Sequence, residues 1–73
     1  MTNQMDTDRY ISVWLDRDSG PGNPVWIVSL DTEDDTETLR VYYEREFDLA
    51  VEFAMTEARR TGRRIVIDRV RVG

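Results

Sequence analysis

The chain has 73 residues, fifteen acids against ten cations and a net charge of −5, with no cysteine and no histidine. Those two absences remove disulfides, the common zinc sites, thiol nucleophiles and every histidine-based acid–base arrangement. A chain this short supports one domain with a small core, and the longest unbroken apolar run, Val25-Trp26-Ile27-Val28, falls far short of the ~20 residues a membrane helix needs.

Every cation is an arginine, and the distribution is uneven. Residues 1–57 hold fourteen acids and four arginines, whereas residues 58–73 hold six arginines and the single acid Asp68. A domain with an acidic and a basic pole is expected. The N-terminal MTNQMDTD is acidic and polar, the opposite of a secretory leader, so the chain reads as a soluble, cytoplasmic protein.

Residues 1–8 lack apolar periodicity and read as a flexible tail ahead of one domain spanning 9–73. Residues 9–16, RYISVWLD, alternate, with Ile11, Val13 and Leu15 on one face and Tyr10, Ser12 and Trp14 on the other, which predicts a first strand. Residues 17–24, RDSGPGNP, concentrate glycine and proline and predict a loop. The stretch 25–30, VWIVSL, is apolar at nearly every position and predicts a second strand covered on both faces or nearly so. Residues 31–37, DTEDDTE, form an acidic hairpin loop, and 38–43 predict a third strand with Leu39, Val41 and Tyr43 on its inner face.

Residues 44–61, EREFDLAVEFAMTEARRT, form the one long amphipathic helix. At 100° per residue Phe47, Val51, Ala54 and Ala58 share a stripe flanked by Ala50 and Met55. Acids open this helix, Arg59 and Arg60 close it, and Gly62 is placed to take the left-handed C-cap conformation. Leu49 and Phe53 lie off the stripe, one turn apart, either covered on the flank of a deeply seated helix or free to bind a partner. Residues 64–72, RIVIDRVRV, predict the fourth strand, where a bulge near Asp68 could bury both Ile65-Ile67 and Val70-Val72.

The fold class is therefore α+β in the order β-β-β-α-β: a three-stranded antiparallel meander, one helix packed on one face, and a C-terminal fourth strand. A right-handed crossover lays that strand beside the first and parallel to it, giving the spatial order 3-2-1-4. One helix of about 26 Å covers one face of such a sheet. The opposite face then receives Tyr10, Trp14 and Tyr42, with Trp26-Val28-Leu30 or Val25-Ile27 from the second strand. Either that face is covered by the tail, the long loop or arginine stems, or it is an interface.

Chemistry has little to work with. The acidic loop residues Asp31, Glu33, Asp34, Asp35 and Glu37 fail the calcium-loop pattern, which wants glycine and glutamate where Thr36 and Tyr42 stand, so no metal or other cofactor is expected. The serines have no histidine or lysine to activate them, and no phosphate-binding glycine motif is present, so the chain reads as non-enzymatic with no small-molecule substrate. Arg59, Arg60, Arg63 and Arg64 form a basic pole that could grip phosphates, against the acidic balance of the rest.

The elements Trp26-Ile27-Val28, the spaced Ala50, Ala54, Ala58 and Gly62, and Ile65-Val66-Ile67 resemble small bacterial and phage-borne β-β-(β)-α-β domains, including some anti-CRISPR inhibitors. The likeness covers about two-thirds of the chain at the level of architecture and spacing. It implies a phage- or mobile-element-encoded protein that inhibits or modulates a larger host protein, with acidic side chains standing in for nucleic-acid phosphates. A binding module of this kind would dock through the acidic loop, through Leu49 and Phe53, or through the rings of Tyr10, Trp14, Trp26 and Tyr42. The alternatives are a homodimer that buries its sheet face, and a nucleic-acid binder using the basic pole.

Overall fold

The computed structural model describes residues 9–17 and 24–68. Four strands form one sheet: β1 (Tyr10–Asp16), β2 (Val25–Asp31), β3 (Thr36–Tyr43) and β4 (Ile65–Asp68). A 3-10 turn, Glu44–Glu46, leads from β3 into the helix α1 (Phe47–Thr61). The sheet order is β3-β2-β1-β4, with β1 antiparallel to β2, β2 antiparallel to β3 and β4 parallel to β1. This is the expected order, and the helix has the expected place. The expected tail, most of the glycine–proline loop and the part of the fourth strand from residue 69 onward lie outside the described residues.

Pairing lengthens the strands beyond the apolar runs. β2 and β3 meet at Asp31 opposite Thr36, so the hairpin loop shrinks to residues 32–35. Thr32 organises it: its Oγ1 accepts from the Asp34 and Asp35 amides at 3.3 and 3.0 Å, and its own amide donates to the Asp35 carbonyl at 2.8 Å. Such side-chain-to-backbone bonds are how threonine stabilises tight turns.

α1 lies on one face through a stripe of small residues. Ala50, Ala54 and Ala58 are buried, four residues apart, and pack against Ile11, Val13 and Leu15 of β1 and Trp26 and Val28 of β2. With methyl groups at the contact, the helix axis can approach the sheet closely, and the bulk of the core is supplied by the strands. The stripe is rotated from the expected one: Ala50 lies at its centre and Met55, expected at its flank, is exposed. The rotation follows from Phe53, which turns toward β3 to meet Tyr42 and so draws that side of the helix inward.

The helical segment is closed at both ends. At the start of the 3-10 turn, the Tyr43 amide donates to Glu46 Oε1 at 2.9 Å. At the end, Gly62 takes φ 73°, and the Arg63 amide donates back to the Ala58 carbonyl at 3.0 Å, the six-to-one bond of a Schellman cap. The chain then enters β4, with the Ile11 amide donating to the Arg64 carbonyl at 2.9 Å.

β3 departs from simple alternation. Its register shifts between Val28 and Ser29: Val28 faces Arg40, whereas Ser29 faces Thr38, leaving Leu39 as an extra residue. That is a β-bulge, and it reverses which side chains point inward beyond it. Leu39 and Tyr42 both pack against the core, while Val41 and Tyr43 turn out to solvent. The expected inward trio of Leu39, Val41 and Tyr43 is therefore correct only for Leu39.

Candidate binding surface along the third strand

The cross-strand registers place four rows of side chains on the face away from α1. One row holds Asp16, Val25 and Tyr43; the next holds Asp68, Trp14, Ile27 and Val41; the third holds Val66, Ser12, Ser29 and Thr38; the last holds Tyr10, Asp31 and Thr36. The middle of this face is closed. Ser12 and Ser29 are 0% exposed, and Ile27 is buried beside them. Ser12 Oγ donates to Asp31 Oδ2 at 2.7 Å, and Trp14 Nε1 donates to Ser29 Oγ at 3.1 Å. At this depth the two serine hydroxyls and one carboxylate oxygen of Asp31 are hydrogen-bonded, as buried polar groups within a sheet ordinarily are.

Several expected docking residues are thereby reassigned. Trp26 is 8% exposed, packs against Phe47 with ring centroids 4.6 Å apart and donates from Nε1 to the Glu44 carbonyl at 2.8 Å, so it is a core residue beneath the helix entry. Tyr42 faces α1, with its ring 6.4 Å from that of Phe53, because the bulge inverts its side. Trp14 is half-buried and anchored to Ser29, and Tyr10 is half-buried with the Arg64 guanidinium 4.6 Å above its ring. Asp31, expected in the solvated acidic loop, is 1% exposed at the end of β2, because strand pairing extends through it and Ser12 donates to it. Glu33, Asp34, Asp35 and Glu37 are exposed as the loop reading requires.

What stays open gathers on β3 and the neighbouring flank of α1. Val41 is 51% and Tyr43 58% exposed on the strand, and Leu49 is 48% exposed on the helix, one turn before Phe53. Phe53 itself is half-buried between Tyr42 and the Arg40 guanidinium, which sits 4.8 Å above its ring. Arg45 lies 5.2 Å over the ring of Tyr43. Exposed aliphatic and aromatic groups with arginines over rings are the composition favoured at the centres of protein interfaces. Met55 and Ile67 are also exposed, on the other flank of α1 and on β4.

The charges are partitioned in the same way. Arg40, Arg45 and Arg64 are spread over rings, and at the end of α1 Arg60 Nη2 meets Glu57 Oε1 at 2.6 Å. The hydrogen bond from Arg60 holds the Glu57 carboxyl below its ordinary value; desolvation opposes this, and the charges of Arg60 and Arg40 reinforce it. Among the described residues no ion pair reaches Glu33, Asp34, Asp35 or Glu37. The hairpin end of β3 therefore carries four exposed acids that no ion pair reaches among the described residues, and its helix end carries Val41 and Tyr43.

Sequence reasoning placed Val41 and Tyr43 inside and overlooked the Ser12–Asp31 and Trp14–Ser29 contacts. The available signal for the latter was a serine in the middle of each of two otherwise apolar strands, Ser12 and Ser29, at positions that pairing brings face to face. Among the described residues no group of three or more metal-ligating side chains occurs, and no helix is long and apolar enough to cross a membrane. No protein-family model matches the chain, nor does any curated protein or solved structure.

Proposed function

We propose that the chain is a non-catalytic protein-binding module that engages a larger partner along β3 and the adjoining flank of α1. The observation that carries this reading is the exposure of Val41 and Tyr43 at one end of the eight-residue β3 and of Glu37, Asp35, Asp34 and Glu33 at its other end, with Leu49 exposed on α1. Isolated exposed apolar residues need no explanation, but a group of them bordered by ring-stacked arginines and charge favours association. The finer form of the proposal is an inhibitor or modulator, phage- or mobile-element-encoded, acting on a host protein or complex.

The basic pole is less favourable to nucleic acid in this arrangement, since Arg60 is held by Glu57 and Arg64 lies on Tyr10. The closed polar centre of the second sheet face likewise weighs against a homodimer that buries that whole face. Site-specific photo-crosslinking tests the proposal: a benzophenone amino acid replaces Tyr43 in one variant and Met55 in another, and each is irradiated in the cells that make the chain. A discrete crosslinked partner from position 43 and none from position 55 is the expected result. Crosslinks from 55 alone, or none from either, would refute it.

A further inference from the structure

We propose that the partner completes the sheet, adding a fifth strand along β3 with cationic side chains toward the hairpin and apolar ones beside Val41 and Tyr43. This rests on the protein-binding reading and names the mode and chemistry of the contact. β3 ends the sheet on its side, and β2 occupies only one of its two lateral sides. Among the described residues no strand pairs with the other side; the Tyr43 amide is taken by Glu46 Oε1, and the strand before it is left with a row of backbone donors and acceptors. Such a row is a ready template for an extended chain, and proteins that leave it unused blunt it with lysine, proline, short length or a bulge.

The sequence of β3, TETLRVYY, has neither lysine nor proline, and its eight residues make it twice as long as β4, which has four. Its one cation, Arg40, is turned onto Phe53. The bulge at Leu39 interrupts the edge and the Tyr43 amide already donates to Glu46 Oε1, so continuous pairing is assigned to residues 40–42, the part beside which Val41 and Tyr43 stand exposed.

Charge decides the rest of the occupant. Beyond the bulge the edge runs toward Glu37, Asp35, Asp34 and Glu33, all exposed. Between Leu30, Thr32, Thr36, Asp35 and Glu37 lies a groove of about 200 Å³, with Arg9 on its wall. Leu30 is the aliphatic member of its lining, and two carboxylates against one guanidinium leave the groove net negative. That fits one arginine or lysine side chain of the incoming strand. An acidic strand would meet like charge along the same path.

The test uses the full chain, labelled with nitrogen-15, titrated with the acetylated, amidated hexapeptides Arg-Thr-Arg-Val-Thr-Val and Val-Thr-Val-Arg-Thr-Arg, which present their arginines at opposite ends. One of the two is expected to shift the amides of residues 40–42 and to slow their hydrogen exchange, with affinity falling about tenfold in Asp35→Lys/Glu37→Lys and falling also in high salt. A glutamate peptide of the same length is expected to give no shift. The proposal is overturned by no response to either arginine peptide at millimolar concentration, by shifts centred on the outer side of α1, or by an affinity unchanged in the double variant. It is also overturned if the same amides shift with protein concentration alone, since a second copy would then be the occupant. If these outcomes occur while position 43 still crosslinks a partner, the protein-binding reading stands and only the added strand fails.

Discussion

Ser12 and Asp31 lie nineteen positions apart in the chain, yet Ser12 Oγ donates to Asp31 Oδ2 at 2.7 Å where the two side chains are 0% and 1% exposed. The contact joins the start of β1 to the end of β2 on the sheet face opposite the helix. Its depth makes it matter, because a hydrogen bond to a carboxylate away from water is worth more than one on the surface.

Removing the hydroxyl leaves the carboxylate one donor short. Ser12→Ala is therefore expected to destabilise the fold by about 2 kcal/mol. Urea denaturation followed by circular dichroism checks this, and a midpoint equal to that of the parent chain would contradict it. Ser29→Ala, which removes the hydroxyl that accepts from the Trp14 indole, is expected to cost about half as much.

Gly62 holds φ 73° with nothing within 4 Å of where a Cβ would stand. Gly62→Ala thus meets no clash, and its cost is that of the left-handed backbone alone, about 1 kcal/mol. For a domain of this size that lowers Tm by about 4–8 °C. Calorimetry showing no change would mean that the cap is unimportant to α1.

The alanine stripe makes the opposite kind of prediction. Ala54 is fully buried between α1 and the sheet, and Ala54→Leu has to push the helix away from β1 and β2. Overpacking of this kind costs about 1–3 kcal/mol. A loss smaller than that of Gly62→Ala would show that the helix seats more loosely than its burial indicates.

Glu57 supplies a pH signature. Its folded carboxyl lies below the ordinary glutamate value because Arg60 donates to it. A depressed folded value means that the pair stabilises the fold above the unfolded value of ~4.3, and that this contribution disappears as pH falls through the folded value. Since the pair is solvent-exposed, Glu57→Gln is expected to leave Tm at neutral pH nearly unchanged. Carbon-13 titration of the Glu57 carboxyl is the decisive measurement, and a midpoint at or above that of a free glutamate would contradict the assignment.

The elements and their order were legible from residue pattern because each signal is local. Alternation marks β1, a compact run of β-branched residues marks β2, and helical spacing with Gly62 marks α1. The parallel placement of β4 beside β1 follows from the handedness of a single crossover. Four of the five acids expected in the solvated loop, Glu33, Asp34, Asp35 and Glu37, are exposed as expected, because so many carboxylates cannot be buried together.

The surface could not be read that way. Whether Tyr42 or Tyr43 faces solvent depends on Leu39 being the extra residue against β2, and a bulge belongs to the pairing of two strands, so neither strand's sequence contains it. Asp31 looks like its acidic neighbours until Ser12 is brought to it from β1, and Phe53 looks like a stray apolar group until Arg40 and Tyr42 close around it. Periodicity along the chain determined which segments become strands and helix. Only contacts between segments distant in sequence decided which side of each one meets water, because burial is a property of neighbours.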